Sequence, residues 1–197
     1  AAEYLPAFMR LDVTNPEEPV LLGTSSLTLA SSGGTLERAT VEGQDYLFNK
    51  RYDTIAILRI DRTNTDDPQL VLVREFSCPM IESFFVRNDA APNKLLYVVG
   101  GSTQDSSIKN VRVFDIPTLV AAQTEPPTEP STTPPRSLLV GTLGTRLYSI
   151  AKSAEDVFYV GGGDKFWVVS DIESNLSPGP NFSVSSTVNV LKVDGST

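Results

Sequence analysis

One layout of short extended segments recurs four times along this chain, and it limits the possible folds more than any other feature. Tyr4, Tyr46, Tyr97 and Tyr159 each sit in a segment that mixes aromatic and aliphatic residues. A turn follows, then a second such segment that ends near Asp12, Asp61, Asp115 or Asp171. After a loop comes a third segment, at residues 20–23, 70–73, 138–141 and 182–184. A fourth, at residues 38–41, 83–86, 147–150 and 190–193, comes before the next tyrosine. The segments are rich in Val, Ile, Leu, Tyr and Phe and are bounded by Gly, Pro, Asn and Asp. That pattern predicts many short strands, and helical spacing is nearly absent.

Four strands per unit is the blade of a β-propeller. The tyrosines lie 42, 51 and 62 residues apart, and the long third interval holds a proline-rich insertion at residues 123–136. Counting from Tyr159 through the last residue and on to Tyr4 gives 42 again. Residues 190–193 therefore lead into Tyr4 as residues 38–41 lead into Tyr46. The expected architecture is all-β: one domain over residues 1–197, four blades of four antiparallel strands. The C-terminal strand completes the first blade, and such closure removes open sheet edges. Four blades cut from a larger propeller, and a β-sandwich, are the alternatives.

The chain of 197 residues contains no histidine and one cysteine, Cys78. Serine and cysteine nucleophiles that depend on a histidine base are thereby excluded, as are histidine-ligated metals. No intrachain disulfide can form. The net charge of −8 opposes binding to phosphate backbones and to anionic lipid. No apolar run reaches 18 residues, so no membrane-spanning helix is expected. No signal peptide is visible, and Ala1-Ala2-Glu3 suits a chain whose signal has been removed.

The run Asp12-Val13-Thr14-Asn15-Pro16-Glu17-Glu18-Pro19-Val20-Leu21-Leu22-Gly23-Thr24 resembles the LVIVD-type propeller repeat. Ile60-Asp61 with Pro68, and Asp115-Ile116-Pro117, echo it. This resemblance implies the propeller fold and a surface or secreted setting, but no particular reaction. Residues 46–52 and Gly163-Asp164-Lys165-Phe166-Trp167 are similar to the strand pair of hemopexin-like four-bladed domains. The cysteine pair of that family has no counterpart here.

The strand-end aspartates are read as turn residues, since Asp accepts hydrogen bonds from backbone two residues on. A Ca2+ or Mg2+ site would instead need their oxygens to converge. Gly100-Gly101 and Gly161-Gly162-Gly163 follow equivalent strands and are expected in tight turns, since neither opens a helix with the Lys-Ser/Thr of a nucleotide loop. Glu155, Asp156 and Asp164 are candidates for paired carboxylate catalysis, although neighbouring acids are commonplace on so acidic a chain. Tyr4, Tyr46, Tyr97, Tyr159 and Trp167 are candidates for stacking on sugars, with packing between blades as the plainer role. Asn181-Phe182-Ser183 fits an N-glycosylation acceptor, and Thr128, Thr132 and Thr133 in the Pro/Thr-rich segment are candidate O-glycosylation positions. The resulting expectation is a non-enzymatic extracellular or cell-surface propeller for protein interaction or self-assembly. It takes no cofactor and no nucleic acid and does not insert in membranes. A carbohydrate-binding propeller and a carboxylate-dependent hydrolase are the alternatives, in that order.

Overall fold

Residues 8–24, 35–64, 68–87, 94–101, 110–121, 138–139, 146–154, 157–163, 165–172 and 175–183 are described by the computed structural model of the chain. They form antiparallel sheet almost throughout. β1 (Met9–Asp12) pairs with β2 (Val20–Thr24) in a two-stranded ribbon. β3 (Leu36–Val41), β4 (Gln44–Arg51), β5 (Thr54–Asp61) and β6 (Gln69–Ser77) make a four-stranded meander. β7 (Ile81–Arg87), β8 (Leu95–Gly100), β9 (Val111–Asp115) and β10 (Leu138–Leu139) make a second. The third contains β11 (Ser149–Ala154), β12 (Val157–Gly162), β13 (Lys165–Ile172) and β14 (Asn175–Ser183). In each meander, strands adjacent in sequence are adjacent in space.

Turn chemistry explains the first hairpin. Val41 faces Gln44, leaving a two-residue loop of Glu42 and Gly43, with φ of 50° and 80°. Two consecutive positive φ values are what a type I′ turn requires, and its twist suits the flanking strands.

The alternation of each strand divides its side chains between two faces. On β8, Leu96 and Val98 face the β3–β6 sheet and join a core with Phe48, Ile57, Phe76 and Phe114. Tyr97 and Val99 point the other way, into two clusters shared with Phe158, Val160, Trp167 and Val169 of the β11–β14 sheet. The β7–β10 sheet is thus packed on both faces. The first strands of the three meanders lie side by side: β3 touches β7, and β7 touches β11. Where the chain passes from one sheet to the next, it hooks onto the previous one. Cys78 N–H donates to the Asp53 carbonyl at 2.6 Å, and Leu147 N–H donates to the Gly100 carbonyl at 3.0 Å.

The strands fall where the repeat expects them, with four differences. Ile116 does not extend β9 but opens a short helix, α1 (Ile116–Ala121). Asp115 caps it, accepting from Thr118 N–H at 2.9 Å and from the Thr118 hydroxyl, while Pro117 sits in the first turn, where its missing N–H costs nothing. Packing of Ile116, Leu119 and Val120 against the core overrides the expected strand. β6 runs past the expected residues 70–73 to Ser77, through a bulge opposite Ile57 and Leu58. β11 starts two residues later than residues 147–150. β14 begins at Asn175 and takes in Pro178 and Pro180, where residues 182–184 alone are expected. The two prolines are tolerated because, among the described residues, β14 is the last strand of its sheet, where a missing N–H on the outer side breaks no ladder. Residues 3–5 and 190–193, on which ring closure depends, lie outside the described residues, and so does the whole 123–136 insertion.

Candidate functional site

Asp12, Asp61 and Asp115 of the repeat act locally. Asp12 Oδ1 accepts from Thr14 N–H at 2.8 Å and from the Thr14 hydroxyl. Asp61 Oδ1 accepts from Thr63 N–H at 2.9 Å. Asp115 does the same work as a helix cap. These are Asx-type turns, as the turn reading expects. The Thr14 hydroxyl holds the exposed Asp12 carboxyl below its usual value, and the Thr63 backbone N–H does the same for Asp61. Among the described residues no three His, Cys, Asp or Glu side chains converge as metal ligands. Asp171 lies on β13 opposite Leu176. Asp156, Asp164 and Glu155 lie outside the described residues.

The glycines divide into two roles, one of which the sequence does not reveal. Gly101 and Gly163 have φ of 103° and 60°, the left-handed conformation expected of turns. Gly100 and Gly162 are needed for a different reason. A Cβ on Gly100 would lie 1.8 Å from the Met80 carbonyl oxygen, and one on Gly162 would lie 2.1 Å from that of Arg146. In each case the backbone leading into the sheet's first strand crosses directly over the end of its second.

The tyrosines keep equivalent places on the second strand of each meander. Tyr46 faces Arg59, Tyr97 faces Val113 and Tyr159 faces Val168. Tyr97 is fully buried, with its ring centroid 4.2 Å from that of Phe158. Trp167 is buried in the same interface, Tyr46 packs against the larger core, and Tyr159 is half-buried with its ring 5.8 Å from Phe166. Tyr97 and Trp167 thus serve as packing side chains. Tyr4, Thr128, Thr132 and Thr133 lie outside the described residues, and Asn181 stands on β14 opposite Trp167.

Two features have no signal in the repeat. One is a charge network in which two largely exposed arginines meet the buried Asp45. Its Oδ1 accepts from Arg38 Nη2 at 2.9 Å and the Thr40 hydroxyl at 2.7 Å, and Arg62 Nη2 lies 2.7 Å from Oδ2. The Thr40 hydroxyl, and then the Arg38 and Arg62 guanidinium groups, hold the Asp45 carboxyl below the usual carboxylate range against the opposing effect of burial. The other is the β1–β2 ribbon, which leaves Met9, Leu11, Val13, Val20, Leu21 and Leu22 exposed. Between this ribbon and the β3–β6 sheet lies a cavity of about 310 Å3.

No protein-family model, curated protein or solved structure matches the chain.

Proposed function

We propose that this chain is a four-bladed propeller of extracellular or cell-surface type that works by holding a protein partner or further copies of itself, rather than by catalysis. The exposed apolar β1–β2 ribbon carries this reading. Six aliphatic or Met side chains lie exposed on ten residues of ladder and its flank, with Met9 at 67% and Val13 at 62% exposure. Apolar exposure concentrated on one ribbon marks an interaction site more often than scattered exposed residues do. The stacked four-stranded meanders with adjacent first strands support the propeller, and residues 190–193 and 3–5 would supply the ribbon's missing inner strands. Closure of that kind would leave the outer surface of β2 for a partner. The localisation and the glycans at Asn181, Thr128, Thr132 and Thr133 belong to this same proposal. Tyr97 and Trp167 being in the interior argues for a protein partner over a sugar.

Sedimentation of the protein and of a Leu22→Glu variant tests the reading. Self-association or co-sedimentation with a partner from the source material is expected, and the charge on the ribbon should abolish it. A wild-type monomer that captures nothing, indistinguishable from Leu22→Glu, would overturn it.

A further inference from the structure

The outer strands of the ribbon and the three sheets are not equally protected as edges. β14 carries Pro178 and Pro180, β6 carries Arg74 and Glu75, and β10 spans two residues. Prolines, charges and shortness are the devices that keep an edge strand from pairing with another chain. β2, Val20-Leu21-Leu22-Gly23-Thr24, has neither proline nor charge and, among the described residues, pairs with β1 alone. Val20 and Leu21 are consecutive and so point to opposite faces of the ribbon, yet they are 57% and 55% exposed. Both faces of β2 are therefore uncovered along with its free edge.

The approach to this edge is acidic. Glu17 and Glu18 lie exposed in the turn just before β2. Two hydrogen bonds to Asn15 fix that turn: Glu17 N–H donates to Asn15 Oδ1 at 3.3 Å, and Glu18 N–H donates to the Asn15 carbonyl at 3.1 Å. Lys and Arg are absent from residues 11–37, and among the described residues neither glutamate has an ion-pair partner. A second copy of the chain is a poor match for such an edge. Each copy has a net charge of −8, and pairing β2 with β2 would add a second acidic turn without a free cation to face the first. Arg10, at the far end of the ribbon opposite Gly23, is already engaged at the Pro68 carbonyl.

Taking the ribbon as the docking surface proposed above, we infer that its occupant is an extended segment of another protein, aliphatic along its length and carrying Lys or Arg where it passes Glu17 and Glu18. The segment adds a strand to the free edge of β2. Main-chain hydrogen bonds supply the affinity, and its alternating side chains cover Val20 on one face and Leu21 on the other. The glutamates at one end select a basic partner over an acidic one.

Fluorescence anisotropy with the labelled peptide Lys-Lys-Val-Thr-Val-Thr-Val-Lys-Lys, whose lysines serve either strand direction, tests this on the whole chain. Saturable binding is expected. Glutamate in place of the four lysines should weaken it about tenfold or more. Proline in place of the central valine removes an N–H from the new ladder and should abolish binding, as should Leu22→Glu in the protein. The double variant Glu17→Gln, Glu18→Gln should bind the lysine peptide about threefold more weakly, and bind a version with glutamine for lysine as the wild type does. The inference is overturned if the lysine peptide shows no saturable binding, if the glutamate or proline version binds equally well, or if Leu22→Glu leaves binding intact. A wild type that self-associates through a contact sensitive to Leu22→Glu, yet ignores the peptide, would overturn the basic strand while leaving the ribbon as a docking surface.

Discussion

Three residues carry charge or reactivity that the interior has to accommodate. Asp45 is nearly fully buried and answers two guanidinium groups and a hydroxyl at once. Asp45→Ala leaves the Thr40 hydroxyl and two arginines without their acceptor, and is expected to cost about 1–3 kcal/mol in urea unfolding at pH 7. Its carboxyl is held below the ordinary value, so its contribution is fully present above that value and is lost as the pH falls through the depressed one. The stability gap between wild type and Asp45→Asn should therefore shrink as the pH is lowered from 7 toward 3. A gap that stays constant over that range would contradict the network. Arg74 presents the opposite case. It shares a face of β6 with Phe76 and is only 5% exposed, and its Nε and Nη1 have no hydrogen-bond partner among the described residues. Burial pulls its pKa down. A buried cation of this kind costs more than a hydrocarbon of similar size, so Arg74→Met is expected to stabilise the fold by about 1–3 kcal/mol. Cys78 is buried, and its thiol is pushed up to about 11, mainly by burial. A thiol-specific disulfide reagent should leave it untouched in the native protein and titrate one thiol in urea.

At the scale of the strands, most of the architecture is legible in the sequence because period-2 alternation and Gly, Pro and Asp punctuation are local signals. Tyr46, Tyr97 and Tyr159, and Asp61, Asp115 and Asp171, land on equivalent strands for that reason. Four things are not legible. Helix α1 depends on tertiary burial of Leu119 and Val120, which a six-residue segment cannot announce. The extension of β6 depends on a bulge, and the proline-containing start of β14 depends on its being an edge. The roles of Gly100 and Gly162 depend on a backbone crossing made by residues about twenty positions upstream in one case and sixteen in the other. These crossings set an order of sensitivity. Gly100→Ala and Gly162→Ala must push a carbonyl aside and are expected to cost about 3 kcal/mol or more, at the upper end for point changes. Gly43→Ala meets nothing within 4 Å and should cost only the positive-φ penalty, about 1 kcal/mol. Thermal denaturation of the three variants checks that order, and equal losses would contradict it.

The whole molecule is organised by faces. The β7–β10 sheet is buried on both sides, its neighbours pack against it, and the first strands β3, β7 and β11 run beside one another. The β1–β2 ribbon corresponds to the third and fourth strands of a meander and has an exposed apolar surface. The propeller account assigns its inner strands to residues 3–5 and 190–193. Hydrogen exchange followed by mass spectrometry, on the whole chain and on a chain ending at residue 189, tests that assignment most directly. The account predicts strong protection of residues 190–193 in the whole chain, and loss of protection in β1 and β2 on truncation, with β4, β5 and β8 unchanged. Exchange of residues 190–193 at the rate of an unstructured peptide, with β1 and β2 unaffected by their removal, would contradict it.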